Sequence, residues 1–280
     1  MFLVTGCKGQ LGTELHRLLG DRAVCIDRDE LDITDEAAVK DFFARQSFDF
    51  VINCAAYTAV DKAEDEPELA ERINCDGAAY LARYGKRIVH ISTDYVFDGT
   101  GNTPYSETDS PNPVSVYGKT KLAGEIAVQA EAETAVIIRT AWLCSPWGNN
   151  FVKTMLRLGR GRDHLGVVFD QVGTPTFAAD LAGAIVSLLP QIRPENAGIY
   201  HFSNEGAISW YDFAKAIMQL SGLPCRVAPI ESFEYPSKAP RPAYSVLNKR
   251  KIKETFGLKI PYWLDSLQTC IEELNKRDPA

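Results

Sequence analysis

Over the first half of the chain, short runs that are apolar almost throughout alternate with longer segments whose apolar residues recur every three or four positions. FLVT (2–5), AVCID (23–27), FDFVINCAA (48–56), KRIVHIST (86–93) and AVIIRTA (135–141) make up the first set. A strand buried on both faces reads as a continuous apolar run, whereas one open to water on one side alternates. Between these runs stand GQLGTELHRLLG, TDEAAVKDFFARQ, KAEDEPELAERINCDGAAYLARYG and VSVYGKTKLAGEIAVQAEAE, all of helical period. Strand and helix in strict alternation predict an α/β fold with a right-handed, doubly wound parallel sheet of Rossmann-like type, whose ligands sit at the carboxyl ends of the strands. The second half changes character. CSPWGNN, DQVGTPT and YPSKAPRPAY are rich in proline and turn residues, and helices are expected at 149–159, 177–189, 209–220 and 261–276.

Composition narrows the possibilities without selecting among them. The 280 residues are 45% hydrophobic and carry a net charge of −7 with 24% charged residues, an ordinary globular balance. That acidity, with no basic run, argues against nucleic acid or an anionic membrane as partner, since both reward clustered Lys and Arg. The N-terminus lacks a secretory pattern and no apolar stretch approaches the roughly 18 residues that span a bilayer, so the cytoplasm is the expected compartment. Seven cysteines, an odd number with no C-x-x-C pair, read as reduced thiols and not as metal ligands.

The strongest local signal is TGCKGQLG, which places Gly6, Gly9 and Gly12 directly after the first strand. Such a turn lets backbone N–H groups approach a pyrophosphate at a helix N-terminus. Asp27, at the end of the second strand about 20 residues on, suits the hydroxyls of an adenosine ribose. Arg28 beside it could pair with a 2′-phosphate, so NADH and NADPH both remain open. Residues 1–147 are therefore expected to form a dinucleotide-binding domain, with a returning segment at roughly 165–202, and 148–280 mainly a smaller C-terminal substrate-binding region. A Tyr-x-x-x-Lys pair, Tyr117 and Lys121 in SVYGKTK, is a second candidate for chemistry, but Tyr211 and Lys215 in WYDFAK repeat its spacing. Only the first follows a strand ending in Ser-Thr-Asp; the second sits in an amphipathic helix with Ser209 as its N-cap, where a structural role is expected.

The glycine spacing is G-x-x-G-x-x-G, and with DITD (32–35), NCAAYTAVDKAE (53–64), HISTDYVFDG (90–99) and SVYGKTK the first half resembles the extended short-chain dehydrogenases/reductases. RTAWL (139–143), GNNFVKTML (148–156), DQVGTPT, GIYHFSNEG (198–206) and APRPAYSVLN (239–248) narrow the resemblance to the dTDP-4-dehydrorhamnose reductase family over nearly the whole chain. The resemblance implies NADPH- or NADH-dependent reduction of the 4-keto group of dTDP-4-dehydro-6-deoxy-L-mannose to dTDP-L-rhamnose. Carried onto this sequence, it puts Gly9, Gln10 and Leu11 around the cofactor phosphates and Asp32 with Ile33 beside the adenine. Ala56, Tyr57 and Thr58 fall along the path from the phosphates to the nicotinamide ribose. Thr93, Asp94 and Trp142 fall at the substrate, with Asn149, Asn150 and Arg241 as further polar contacts, Arg241 suited to a diphosphate. Hydride delivery to a ketone leaves an alkoxide that needs a proton donor. Tyr117 fits that role if Lys121, one helical turn away, lowers its pKa and holds the ribose, with Thr93 orienting the substrate oxygen. In some members of the family glutamates hold a magnesium ion that bridges a dimer. Glu14 matches one such position, but PTFAADLA (175–182) has alanine where another acid would fall, which favours a monomer or weak homodimer without magnesium. Alternatives are a reductase or epimerase of another nucleotide-linked sugar, or a non-catalytic regulatory subunit like that of methionine adenosyltransferase.

Overall fold

All five apolar runs of the first half form strands in the computed structural model, which describes residues 1–277. The strands are β1 Phe2–Thr5, β2 Ala23–Ile26, β3 Phe50–Asn53, β4 Arg87–Thr93, β5 Thr134–Thr140, β6 Leu143–Cys144, β7 His164–Val168, β8 Val172–Gly173, β9 Thr176–Phe177, β10 Gly198–His201, β11 Ile208–Ser209 and β12 Arg226–Ile230. The helices are α1 Gln10–Leu19, α2 Glu36–Arg45, α3 Val60–Ala63, α4 Pro67–Glu71, α5 Gly77–Gly85, α6 Val116–Glu131, α7 Phe151–Gly161, α8 Ala178–Leu188, α9 Trp210–Ser221, α10 Arg250–Phe256 and α11 Trp263–Arg277.

The main sheet runs β2-β1-β3-β4-β5-β10, every pair parallel. Its two faces explain the continuous apolar runs. Leu3, Val51, Ile88 and Ile137 point to the side covered by α2, α5 and α6, while Val4, Ile52, Val89 and Ile138 point to α1 and α8. Each such fully buried aliphatic side chain contributes about 1.5–3 kcal/mol of transfer free energy, and β5 is buried at all seven positions. Order reverses at β1, whose neighbours β2 and β3 leave it in opposite directions, so a crevice opens above the carboxyl ends of β1 and β3.

The segment 62–85, which reads as one helical stretch, is broken. Pro67 lacks the N–H of a helix interior and opens α4 instead, and a π-helical turn, Arg72–Asp76, joins α4 to α5. The four helices expected in the second half appear as α7, α8, α9 and α11. Between them β7 and β12 form a separate parallel pair, and α7, α9 and α11 pack around it in a second apolar core. Helix α10 has no counterpart in the sequence pattern; β10, which falls inside the segment expected at roughly 165–202 although the pattern predicts no strand there, extends the main sheet beside β5. Among the described residues one ion pair lies wholly inside: Arg139 of β5 meets Glu125 of α6 at 2.7 and 2.9 Å, both side chains 1% exposed.

Candidate active site

The carboxyl ends of the strands border one cleft of about 930 Å³, within the range of small-molecule sites. The glycine turn forms its floor. Gly6 has φ +66°, and a Cβ there would stand 2.7 Å from the Ala55 amide nitrogen; a Cβ on Gly12 would collide with the Gly6 carbonyl. These two glycines let the turn pack tightly on itself and against the backbone after β3, and that close packing brings the N-terminus of α1 to the floor of the cleft. Asp27 caps the neighbouring edge by accepting the Lys8 N–H at 3.0 Å and the Arg28 N–H at 2.8 Å. Asp32 accepts two bonds from Thr34, which hold its carboxyl below the usual range. Gly9, Gln10, Leu11, Arg28, Ile33, Ala56 and Thr58 line the same space.

Opposite stands α6. Ser115 accepts the Gly118 N–H at 3.1 Å and starts the helix, which presents Tyr117 and Lys121 to the cleft. Tyr117 packs edge-on against Tyr95, ring centroids 5.5 Å apart. Thr93 and Asp94 come from the end of β4, the Thr93 hydroxyl donating to Asp94 Oδ1 at 3.0 Å. Burial pushes the Asp94 carboxyl up to about 6. The Ser245 and Thr93 hydroxyls oppose that rise, yet Asp94 Oδ2 closes no hydrogen bond of ordinary geometry. The lysine differs from expectation. Its Nζ is drawn back onto the Ile91 carbonyl at 2.6 Å, and burial brings its pKa down to about 8. Burial and the Asp94 charge raise the Tyr117 pKa, and only the Thr93 hydroxyl lowers it. In this geometry, then, Lys121 does not acidify the phenol.

Trp142 sits at φ +47°, a left-handed backbone that a bulky residue adopts at a cost of about 1–3 kcal/mol. Its ring stacks on Trp210 of α9, centroids 3.5 Å apart, and both line the cleft. Arg241 reaches in from the proline-rich stretch, held by Asp61 at 2.7 Å and the Tyr95 hydroxyl at 3.0 Å. Asn149 also lines the wall. Two expected residues do not. Tyr57 turns its hydroxyl to Glu66 at 2.7 Å. Asn150 is the N-cap of α7, and its amide donates to Gln10 and to the Ser145 carbonyl. An asparagine directly before a helix is a capping signal, and it was available in GNNF. Sequence reasoning missed Trp210 and Tyr95, which belong to the wall as much as Trp142 does. Glu14 is 3% exposed and engaged by Trp147 Nε1 at 2.6 Å and Arg17 at 3.0 Å. Among the described residues no group of three or more His, Cys, Asp or Glu is placed to hold a metal ion.

A parallel sheet with a glycine cradle at its switch point and a Tyr–Lys helix across the crevice is the architecture of a dinucleotide-binding α/β protein of the extended short-chain dehydrogenase/reductase type. The model of the RmlD substrate binding domain matches residues 1–276, and the chain belongs to that family, the dTDP-4-dehydrorhamnose reductases. The spore coat polysaccharide biosynthesis protein SpsK of Bacillus subtilis is 43% identical over 97% of this chain and 96% of that protein. Among solved structures, a dTDP-4-dehydrorhamnose reductase of Clostridium acetobutylicum superposes with a TM-score of 0.94 at 45% identity, over 98% of this chain and 99% of its own. One of Bacillus anthracis, in complex with NADP, gives 0.93 at 38% identity over 97% and 98%. No helix among the described residues is long and apolar enough to cross a membrane.

Proposed function

We propose that this protein reduces the 4-keto group of dTDP-4-dehydro-6-deoxy-L-mannose to dTDP-L-rhamnose with NADPH or NADH. The observation that carries this is the sharing of one cleft by the glycine cradle, Asp27, Thr93, Tyr117 and Lys121. The residues fit the cofactor: the tight turn that Gly6 and Gly12 permit brings the N-terminus of α1 to the cleft floor, where a pyrophosphate would sit, and Asp27 keeps a carboxylate at the edge for a ribose. When bound, the dihydronicotinamide supplies the hydride. Everything else falls to side chains. Thr93 orients the ketone oxygen by hydrogen bonding. Tyr117 keeps its proton at neutral pH because burial raises its pKa, and it gives that proton to the developing alkoxide, a far stronger base than a phenolate. Lys121, moved forward from Ile91, holds the ribose and brings positive charge to the phenolate that remains. Trp142 and Trp210 offer aromatic faces to the base or sugar, and Arg241 offers a fork of donors to the diphosphate. Asp94 and Asn149 add polar contacts.

The thiols are free throughout the described chain, which agrees with a cytoplasmic setting, and we take the protein to act as a monomer or weak homodimer. The test is direct: mix the protein with NADPH or NADH and with dTDP- and UDP-linked 4-keto sugars, follow cofactor absorbance, and identify the product by NMR. Oxidation with the dTDP-linked 4-keto-L-sugar and formation of dTDP-L-rhamnose is the expected result. Oxidation with none of them rejects the reading in favour of a regulatory subunit.

A further inference from the structure

Behind Lys121 stands a chain of hydrogen bonds that starts at Thr5 on the cleft floor and that the proposed chemistry leaves unused. Asn53, at the end of β3, takes two donors on Oδ1: the Thr5 hydroxyl at 2.8 Å and the Ala55 backbone N–H at 3.1 Å. A backbone N–H can only donate, so this contact fixes which end of the Asn53 amide is oxygen. Asn53 Nδ2 then donates to His90 Nδ1 at 3.1 Å. Thr5, Asn53, His90 and Lys121 are each 1% exposed, so no bulk water competes for these groups. Burial and the Lys121 charge hold the His90 pKa well below the usual imidazole value. A neutral ring that accepts at Nδ1 carries its proton on Nε2. That nitrogen faces Lys121 Nζ at 3.5 Å, while Nζ donates to the Ile91 carbonyl.

The tautomer decides what Lys121 can be in this place. A neutral amine offers its lone pair to the imidazole N–H. An ammonium offers only donors, and sets one of them against the ring proton. Glu125 on α6 acts the opposite way and favours the charge, while Cys54 after β3 is held as a neutral thiol by burial. Glu125 is, however, bonded to Arg139 through both oxygens and to Ser92 at 2.5 Å, and Tyr117 stays a neutral phenol.

We propose that His90 is a positioning residue for Lys121: its Nε2–H, oriented by Thr5 and Asn53, disfavours the ammonium in the withdrawn pose against Ile91 and directs it forward into the cleft. The forward destination, ribose and phenolate, rests on the reductase reading; the withdrawn geometry does not.

Two measurements on the ligand-free, isotope-labelled protein test this without substrate. Long-range proton–nitrogen spectra read the tautomer of each histidine, and the ε-carbon resonance of Lys121 reads its titration. His90 should appear as the Nε2–H tautomer, uncharged, from about pH 5 to about pH 10. In His90→Gln, whose amide can turn its oxygen to the ammonium, the Lys121 midpoint should rise by about one unit, a tenfold change in the charged-to-neutral ratio at fixed pH. The high-pH limb of kcat/KM should move with it, a shift that a merely structural role would not produce. His90 carrying its proton on Nδ1, or gaining charge in that range, overturns the proposal, and this readout needs no variant. So does a Lys121 midpoint that stays in place in folded His90→Gln. If both spectroscopic results hold while no sugar is reduced, the positioning of Lys121 stands and the reductase reading falls.

Discussion

Helices α6 and α9 make a controlled comparison. Each opens on a serine N-cap, Ser115 accepting from Gly118 N and Ser209 from Asp212 N. Each carries a tyrosine in its first turn and a lysine four residues later, so in both the pair shares one helix face. What differs is the phase of that face against the core. On α6, Lys121 lies against β4 and is 1% exposed. On α9, Phe213, Ala214, Ile217 and Met218 face the second core, and this rotation leaves Lys215 in water. Spacing sets which side chains are neighbours; the position of the helix against the sheet sets whether the neighbours can do chemistry. Only Trp210, ahead of its tyrosine, brings α9 to the cleft.

The comparison breaks most sharply at the phenols. Tyr117→Phe should lower kcat by about 10²-fold or more, the scale of a lost general acid, while Tyr211→Phe stays within about twofold; turnover with the dTDP-linked ketone measures both. Equal losses would return the two pairs to the same standing. At the lysines, Lys121→Met should reduce kcat/KM by about 10²-fold and Lys215→Met should leave it unchanged. A stability signature goes with the first. The Lys121 pKa falls from 10.5 to about 8 on folding, so the charged form is the one that folding disfavours. The unfolded chain therefore binds more protons between these values, the penalty is complete below about pH 8, and it is relieved as pH rises toward 10.5. Denaturation of wild type against Lys121→Met should show that slope in the wild type alone, and the variant should be the more stable of the two at neutral pH. Activity of the wild type should decline above about pH 8 as free Lys121 loses its charge.

Smaller effects sharpen the comparison. Trp210→Leu should raise KM for the nucleotide sugar by about tenfold with kcat nearly unchanged, in proportion to a lost aromatic stacking contact. Steady-state kinetics that show a fall in kcat alone would assign Trp210 another role. The caps come last. Ser115→Ala and Ser209→Ala should each cost about 1 kcal/mol in denaturation experiments, but only the first should also slow turnover, because its helix carries Tyr117.

Much of this was open to reading from the residues. Strands β1, β3, β4 and β5 are buried on both faces, and continuous apolar runs leave little else for them to be, while β2 at the sheet edge is only partly covered. That the glycine turn, Asp27, Thr93, Tyr117 and Lys121 would meet at one cleft was legible because the first three mark strand ends and the helix of the last two follows β4. The strand character of β10 was not, since Gly-Ile-Tyr-His is short and mixed, and its place beside β5 depends on residues 62 positions earlier in the chain. Trp210 was hidden by its membership of an amphipathic helix, where an aromatic reads as core. Tyr57 lies in a strand-end motif, but a hydroxyl's choice of Glu66 over the cleft is a matter of rotamer and neighbour. The withdrawn pose of Lys121 belongs to the same class: it is set by a carbonyl on β4 that no side-chain pattern announces.

Two arginines show opposite ways of holding a cation. Arg139 and Glu125 are sealed together, and parting them would strand a charge without water, at about 3–5 kcal/mol. Arg241 is held by Asp61, whose side chain is 48% exposed. An exposed carboxylate released from such a pair is simply rehydrated, at a cost of about 0–1 kcal/mol. On the reading proposed above, Asp61 would act as a placeholder: it keeps the guanidinium extended toward the cleft, and would yield to a diphosphate with little resistance.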